Sequence, residues 1–182
     1  MNPISLAELG VLDWIAAHCR TAWLDVIMPA ITHLGDSGMI WILLGLAILL
    51  LDKKNRRTGF QVLLALLLSL IVCNLILKNA VDRIRPFEIN TMVQLLIPPP
   101  EDASFPSGHP SASFAAATVL MLTRWKGRWP ALILAVLIAL SRLYLYVHFP
   151  TDVLFGAIVG SLCGLLSVFL CKYLSQNRLK KT

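Results

Sequence analysis

Residues 58–77 read TGFQVLLALLLSLIVCNLIL. Twenty residues pass without a charge, and Lys78 follows at once. At a rise of about 1.5 Å per residue, a helix of this length matches the roughly 30 Å hydrocarbon core of a bilayer. The stretch predicts a membrane-spanning helix. Four further apolar runs lie around it, at roughly 38–52, 108–123, 130–147 and 152–171. The runs at 38–52 and 108–123 are short for a span, and Lys53 and Lys54 can extend the former by reaching back to the interface. The expected fold is all-α, a polytopic transmembrane helical bundle of five to six spans.

Composition agrees. Of 182 residues, 57% are hydrophobic and 14% charged, against about 25% charged in an ordinary globular chain. A soluble domain this small could not hide so much apolar surface. The net charge of +6 does not point to nucleic acid, because the basic residues sit in short clusters between apolar runs. The four cysteines, Cys19, Cys73, Cys163 and Cys171, form no Cys-x-x-Cys pair. They read as small packing residues rather than a zinc site or disulfide framework. No cleavable signal peptide is expected, since the first 20 residues lack a basic start and contain Glu8, Asp13 and Arg20.

The chain divides into three parts. Residues 1–34 carry Glu8, Asp13, Arg20 and Asp25 among apolar residues at helical spacing. They predict amphipathic helices, lying at the membrane surface or packed against the bundle, or contributing a sixth span. Residues 35–172 form the transmembrane domain, and 173–182 a basic tail. The turn at 52–57 holds Lys53, Lys54, Arg56 and Arg57. The turn at 124–129 holds Arg124, Lys126 and Arg128, and the tail region holds Lys172, Arg178, Lys180 and Lys181. With five alternating helices these eleven of the 16 basic residues share one side, expected to be cytoplasmic together with the C-terminus. Arg20, Lys78, Arg83, Arg85 and Arg142 fall on the other side.

That second set is clustered. Lys78 closes the 58–77 run one turn after Asn74, and Arg85-Pro86 follows. Ser104-Phe105-Pro106-Ser107-Gly108-His109-Pro110 then leads into the third long run. Ser107 suits an N-cap and Pro110 a first helical turn, so the free N–H groups there can bind an anion. Gly108 allows a close ligand approach, and His109 adds a proton-transfer group. Ser141-Arg142 ends the fourth run, His148 comes six residues after Arg142, and Asp152 opens the last helix. A carboxylate one turn beyond a histidine can hold one ring nitrogen and free the other. Each segment alone would also suit a snorkelling lysine, a capped helix start or an interfacial His–Asp pair. Small residues suggest how the segments meet. Gly156, Gly160 and Gly164 form a stripe headed by Asp152, Ala131, Ala135 and Ala139 lead toward Arg142, and Ala112 and Ala116 lie below His109.

Lys78-x6-Arg85-Pro86, Pro106-Ser107-Gly108-His109 and Ser141-Arg142-x5-His148-x3-Asp152 together resemble the three-part signature of the type 2 phosphatidic acid phosphatase superfamily. All three parts match in order, and the resemblance covers roughly residues 35–172. It implies a membrane enzyme that removes phosphate from a lipid without a metal or other cofactor. His148 would attack phosphorus and form a phosphohistidine, oriented by Asp152. His109 would protonate the leaving oxygen and then activate water. Lys78, Arg85 and Arg142 would hold the phosphoryl oxygens, helped by Ser107 and the Gly108 N–H. The implied substrates are undecaprenyl diphosphate, phosphatidylglycerol phosphate or phosphatidic acid, with the first preferred. The loop charges put the pocket on the extracytoplasmic face. The superfamily also contains vanadium haloperoxidases, which are soluble, unlike this chain. A lipid-phosphate binding or transport protein with a vestigial pocket is the remaining alternative, although both histidines are present. Oligomeric state is not legible.

Overall fold

The computed structural model describes residues 3–179. Lys180 and Lys181, part of the expected basic tail, lie outside the described residues. In chain order the helices are α1 (Pro3–His18), α2 (Ala22–Leu34), α3 (Met39–Leu51), α4 (Arg56–Ser69), α5 (Lys78–Val81), α6 (Pro86–Ile89), α7 (Gly108–Leu122), α8 (Arg128–Tyr144) and α9 (Pro150–Leu179). A 3-10 turn at Asp36–Gly38 joins α2 to α3, and a π-helical segment at Leu70–Leu77 joins α4 to α5. Among the described residues the fold is all-helical.

Each of the five apolar runs forms helix, but their lengths differ. Two helical stretches are long and apolar enough to cross a membrane, Arg56–Ile89 and Pro150–Asn177. A third candidate is the pair Ala22–Leu34 and Asp36–Leu51, bent by 44° at its break. At 15 and 17 residues, α7 and α8 extend only about 22–26 Å, less than the bilayer core. The reason for α7 is its position. It is the central helix, with Ala115, Ala116, Ala117, Val119 and Leu120 all buried, and α4, α8 and α9 pack around it. Leu43, Leu50, Leu67, Leu75, Ile133, Leu140, Leu162 and Phe169 face outward from the surrounding helices. That apolar exterior is what a membrane protein presents to lipid.

The glycine stripe fixes the closest helix contact. A Cβ built at Gly156 would meet the Ser107 carbonyl, one at Gly160 the Ser111 carbonyl, and one at Gly164 the Ala115 carbonyl at 2.7 Å. Three glycines spaced by four thus fit three carbonyls spaced by four, one helix backbone lying on the other. This contact brings the N-terminus of α7, with Ser107, Gly108 and His109, beside the start of α9, with Asp152. The Ser107 N–H donates to the Asp152 backbone carbonyl at 3.0 Å. Ser111 also exchanges a hydrogen bond with Ser69 on α4 at 2.7 Å, and Trp41 Nε1 donates to Ser113 Oγ at 2.9 Å. These bonds pin α3 and α4 to the same central helix.

The N-terminal helices pack on the bundle. Leu9 and Leu12 of α1 join Tyr146 and Phe149 in one buried cluster. Tyr144 Oη donates to Asp25 on α2 at 2.6 Å, and Tyr146 Oη to Asp13 on α1 at 2.6 Å. All four cysteines are free thiols.

Candidate active site

Six of the eight singled-out residues line one cavity of about 820 Å³: Lys78, Arg85, Gly108, His109, Arg142 and His148. They come from five separate parts of the chain and meet at one end of the bundle. Ser107 and Asp152 sit just behind the wall, both fully buried. Ile42, Leu63, Leu66, Leu67 and Leu70 continue the same cavity away from the charges. Leu67 and Leu70 are also about half exposed on the outside of the bundle, so the polar chamber has an apolar extension reaching the lipid-facing surface.

His148 lies in the link between α8 and α9 and is 2% exposed. Its Nε2 is 3.3 Å from Arg85 Nη1, which also donates to the Val147 carbonyl at 2.7 Å. Nε2 accepts in this geometry, and its lone pair points toward the cations of the cavity. Burial first, then the charges of Arg142, Arg85 and Lys78, hold the His148 imidazole well below its ordinary range. It is therefore a neutral base at neutral pH. Asp152 Oδ2 stands 3.7 Å from His148 Nδ1, an ion-pair distance longer than a hydrogen bond.

The Asp152 carboxylate is tied down by other donors. Its Oδ2 accepts from Ser104 Oγ at 2.5 Å and the Phe149 N–H at 2.9 Å, and its Oδ1 from Arg83 Nη1 at 2.6 Å. Arg83 also pairs with Glu8 of α1 at 2.6 Å and lies over the Phe149 ring, 3.9 Å from its centroid. Glu8 in turn accepts from the Thr151 N–H at 2.7 Å. Residues 1–34 fall outside the signature, yet they contribute Glu8 here, and Thr32, which accepts from Arg142 Nη1 at 2.6 Å.

Two carboxylates absent from the signature also enter the site. Asp102 bridges the cations: one oxygen pairs with Lys78 and the other with Arg85 Nη2 at 2.5 Å. Burial alone would raise the Asp102 carboxyl, but Lys78 and Arg85 together outweigh it and hold it below the usual carboxylate range. An anion thus already sits where phosphoryl oxygens are expected. Asp36 accepts from His109 Nε2 at 2.9 Å. Neither aspartate carries a sequence signal: Asp36 stands in a turn and Asp102 beside Glu101 in a loop, where acids are ordinary. Arg83 was visible only as one of the five basic residues on this side.

Ser107 Oγ, Arg142 Nε and His148 Nδ1 are buried without a hydrogen-bond partner among the described residues. A buried unpaired group costs about 1–3 kcal/mol. Arg142 on the chamber wall and Ser107 just behind it suit a ligand rich in oxygen, whereas His148 Nδ1 faces Asp152. The π segment adds to the shape. Its wider turn sets Asn74 on the cavity wall with Lys78, and Asn74 Oδ1 lies 3.0 Å from where a Cβ of Gly108 would be. A side chain at 108 would have to press Asn74 aside.

The sequence matches the PAP2 superfamily over residues 58–177. The chain belongs to this superfamily. It is 37% identical over 150 residues to the undecaprenyl-diphosphatase of Sulfolobus acidocaldarius, covering 82% of this chain and 71% of that protein. The fold is similar to the crystal structure of Aquifex aeolicus LpxE, with a TM-score of 0.74 and 31% identity, covering 88% of this chain and 93% of that one. It is also similar to the transmembrane PAP2-type phosphatidylglycerolphosphate phosphatase of Bacillus subtilis, with a TM-score of 0.75 and 27% identity, covering 97% and 88%. The chain is accordingly a PAP2 membrane protein.

Proposed function

We propose that this PAP2 protein is a lipid phosphatase of the extracytoplasmic face whose preferred substrate is undecaprenyl diphosphate. The observation that carries this reading is the single cavity: a neutral histidine, three cations and a second histidine at one end, and an apolar extension at the other. A lipid phosphate has the same two-part character. The activity of the Sulfolobus relative puts the diphosphate first, and the Bacillus structure makes phosphatidylglycerol phosphate the second choice.

In the proposed reaction His148 Nε2 attacks phosphorus as the bond to the leaving oxygen breaks. His109 gives that oxygen a proton, which leaves a phosphohistidine. His109 then takes a proton from water as the water attacks phosphorus, releasing inorganic phosphate and restoring His148. Lys78, Arg85 and Arg142 hold the phosphoryl oxygens, with the Gly108 N–H and Ser107 assisting. Arg85 Nη1 must turn from Nε2 to the phosphate before attack. Asp152 balances the imidazolium. Positioning and charge stabilisation of this kind account for most of phosphoryl-transfer catalysis.

The orientation rests on the loop charges. Trp125 Nε1 reaches Asp52 at 3.4 Å, and Ser167 Oγ bonds the Gln61 carbonyl at 2.6 Å. The 52–57 and 124–129 turns therefore share the end of the bundle opposite His148, and α9 runs toward it. With that end cytoplasmic, the bundle crosses the membrane five to six times and the tail after 172 lies inside. The reading keeps residues 1–34 as a flanking helical segment and 35–172 as the catalytic domain.

Phosphate release should be measured on purified protein with undecaprenyl diphosphate, phosphatidylglycerol phosphate and phosphatidic acid in turn, with and without a chelator. The expected result is the highest kcat/KM for the diphosphate, unchanged by chelation. A preference for either monoester would reassign the substrate, and activity restored only by added magnesium would sink the metal-free reaction.

The pH profile follows from His148. A folded value below the usual ~6.5 means the neutral, nucleophilic form persists as pH falls through 6.5. Single-turnover phosphorylation should therefore show no loss centred on the usual imidazole range as pH falls through about 6.5. A decline centred near 6.5 would show an ordinary solvent-exposed imidazole instead.

A further inference from the structure

His109 is held by a carboxylate that the three sequence blocks do not contain. Asp36 lies in the turn between α2 and α3, where Ser37 and Gly38 adopt positive φ values of 51° and 67°. The turn is pressed against the histidine ring. A Cβ at Gly35 would come within 2.9 Å of His109 Cδ2 and 3.0 Å of the Ile138 side chain, so glycine is what lets the backbone lie there. Asp36 then uses both oxygens. Oδ1 accepts from His109 Nε2 at 2.9 Å, and Oδ2 pairs with His33 Nδ1 at 2.7 Å. Asp36, His33 and His109 all line the catalytic cavity.

The charges facing the His109 ring make this contact consequential. Asp36 and His33 come from the α2–α3 turn, Lys78 from α5 and Arg142 from α8, with His148 and Arg85 across the chamber. Lys78, Arg85 and Arg142 suit a phosphate dianion but oppose a second proton on a nearby imidazole. A general acid must carry that proton when the leaving oxygen departs. A carboxylate that accepts the Nε2–H stabilises the imidazolium and fixes the ring, so Nδ1 is the nitrogen left to face the substrate. Asp102, the other carboxylate in the chamber, is engaged by Lys78 and Arg85.

We propose that Asp36 is the positioning residue for His109, the counter-charge that lets this histidine act as the leaving-group acid, with His33 steadying the free oxygen of Asp36. The inference rests on the phosphatase reading above, and it assigns a role to the turn at 35–38 that the superfamily's three blocks leave open.

The test exploits the leaving group. A lipid alkoxide such as that of phosphatidic acid needs a proton to depart, whereas p-nitrophenolate does not. kcat/KM reports the steps through phosphorylation of His148, so it isolates this proton from the later water attack. For Asp36→Asn, kcat/KM on phosphatidic acid should fall about 10–100-fold, while kcat/KM on p-nitrophenyl phosphate should change less than about threefold. Asp36→Glu should recover part of the lipid rate. Equal losses on both substrates would mean that Asp36 only supports the fold, and no loss on either would mean that His109 works without it. Either result overturns the inference while the phosphatase reading stands. If the unmodified protein releases phosphate from neither substrate nor from undecaprenyl diphosphate, both fail together.

Discussion

His148→Ala should lower phosphate release by on the order of 10⁴-fold or more, in protein that still folds and still binds lipid phosphate. The magnitude follows from what the residue supplies. In the proposed reaction it forms the bond to phosphorus, and no other neutral nucleophile shares its place beside Arg85. His109 is engaged by Asp36, and Lys78 is paired with Asp102. The folding cost should be modest. His148 makes one side-chain hydrogen bond, at 3.3 Å from Arg85, and its Nδ1 has no partner among the described residues. Removing it leaves the Lys78, Arg85 and Arg142 cluster able to bind an anion. The check is a pair of measurements: phosphate release, and protection of the protein against thermal unfolding by a non-hydrolysable lipid phosphonate. Turnover within tenfold of the unmodified protein would remove the nucleophile from the mechanism.

Gly160→Leu should be the most damaging single change outside the cavity. A Cβ at Gly160 would overlap the Ser111 carbonyl, and backbone within a central helix cannot yield as a side-chain tip can. Forcing four extra carbons into the joint should cost about 3 kcal/mol or more. For a chain of this size that corresponds to a fall in Tm of roughly 10 °C. Ser111 is one turn from Ser107, so activity should fall in the fraction that survives. Leu162→Ala is the control, because Leu162 is 59% exposed on the lipid side of the same helix and should move Tm little. Thermal unfolding in detergent reads both. Equal Tm for Gly160→Leu and the unmodified protein would mean that α7 and α9 are not in backbone contact.

Much of this arrangement is legible in the amino-acid sequence because two strong rules act on it. Long uncharged runs must be helical in lipid, and small residues every fourth position mark where such helices touch. Together they bring His109, Arg142 and His148 to one end from the sequence alone. Charged residues that end apolar runs stand out for the same reason, as Lys78 does. The parts that escape are those governed by neither rule. Asp36 lies in a turn and Asp102 beside Glu101 in a loop, where nothing periodic separates a site residue from a solvated one. Arg83 differs from an ordinary loop arginine only in its partners, Glu8 and Asp152, which are 75 and 69 positions away. The π segment at Leu70–Leu77 is hidden inside a run whose composition suits an α-helix equally well. Helix length needs its surroundings to be understood. The runs at 108–123 and 130–147 mark real helices, but α7 is surrounded by protein and its length is set by its neighbours rather than by the thickness of the bilayer.

The Glu8–Arg83–Asp152 arrangement bears on the order in which the molecule can be put together. Chain synthesis delivers Glu8 first, Arg83 next and Asp152 last. When Arg83 arrives, Glu8 is already present to neutralise it, so a partly inserted chain need not hold a lone cation against the membrane. Asp152 then enters a place where Arg83, Ser104 and the Phe149 N–H await its carboxylate. Through Arg83 the last helix is thus tied to the first, a clasp that the full set of helices is needed to close.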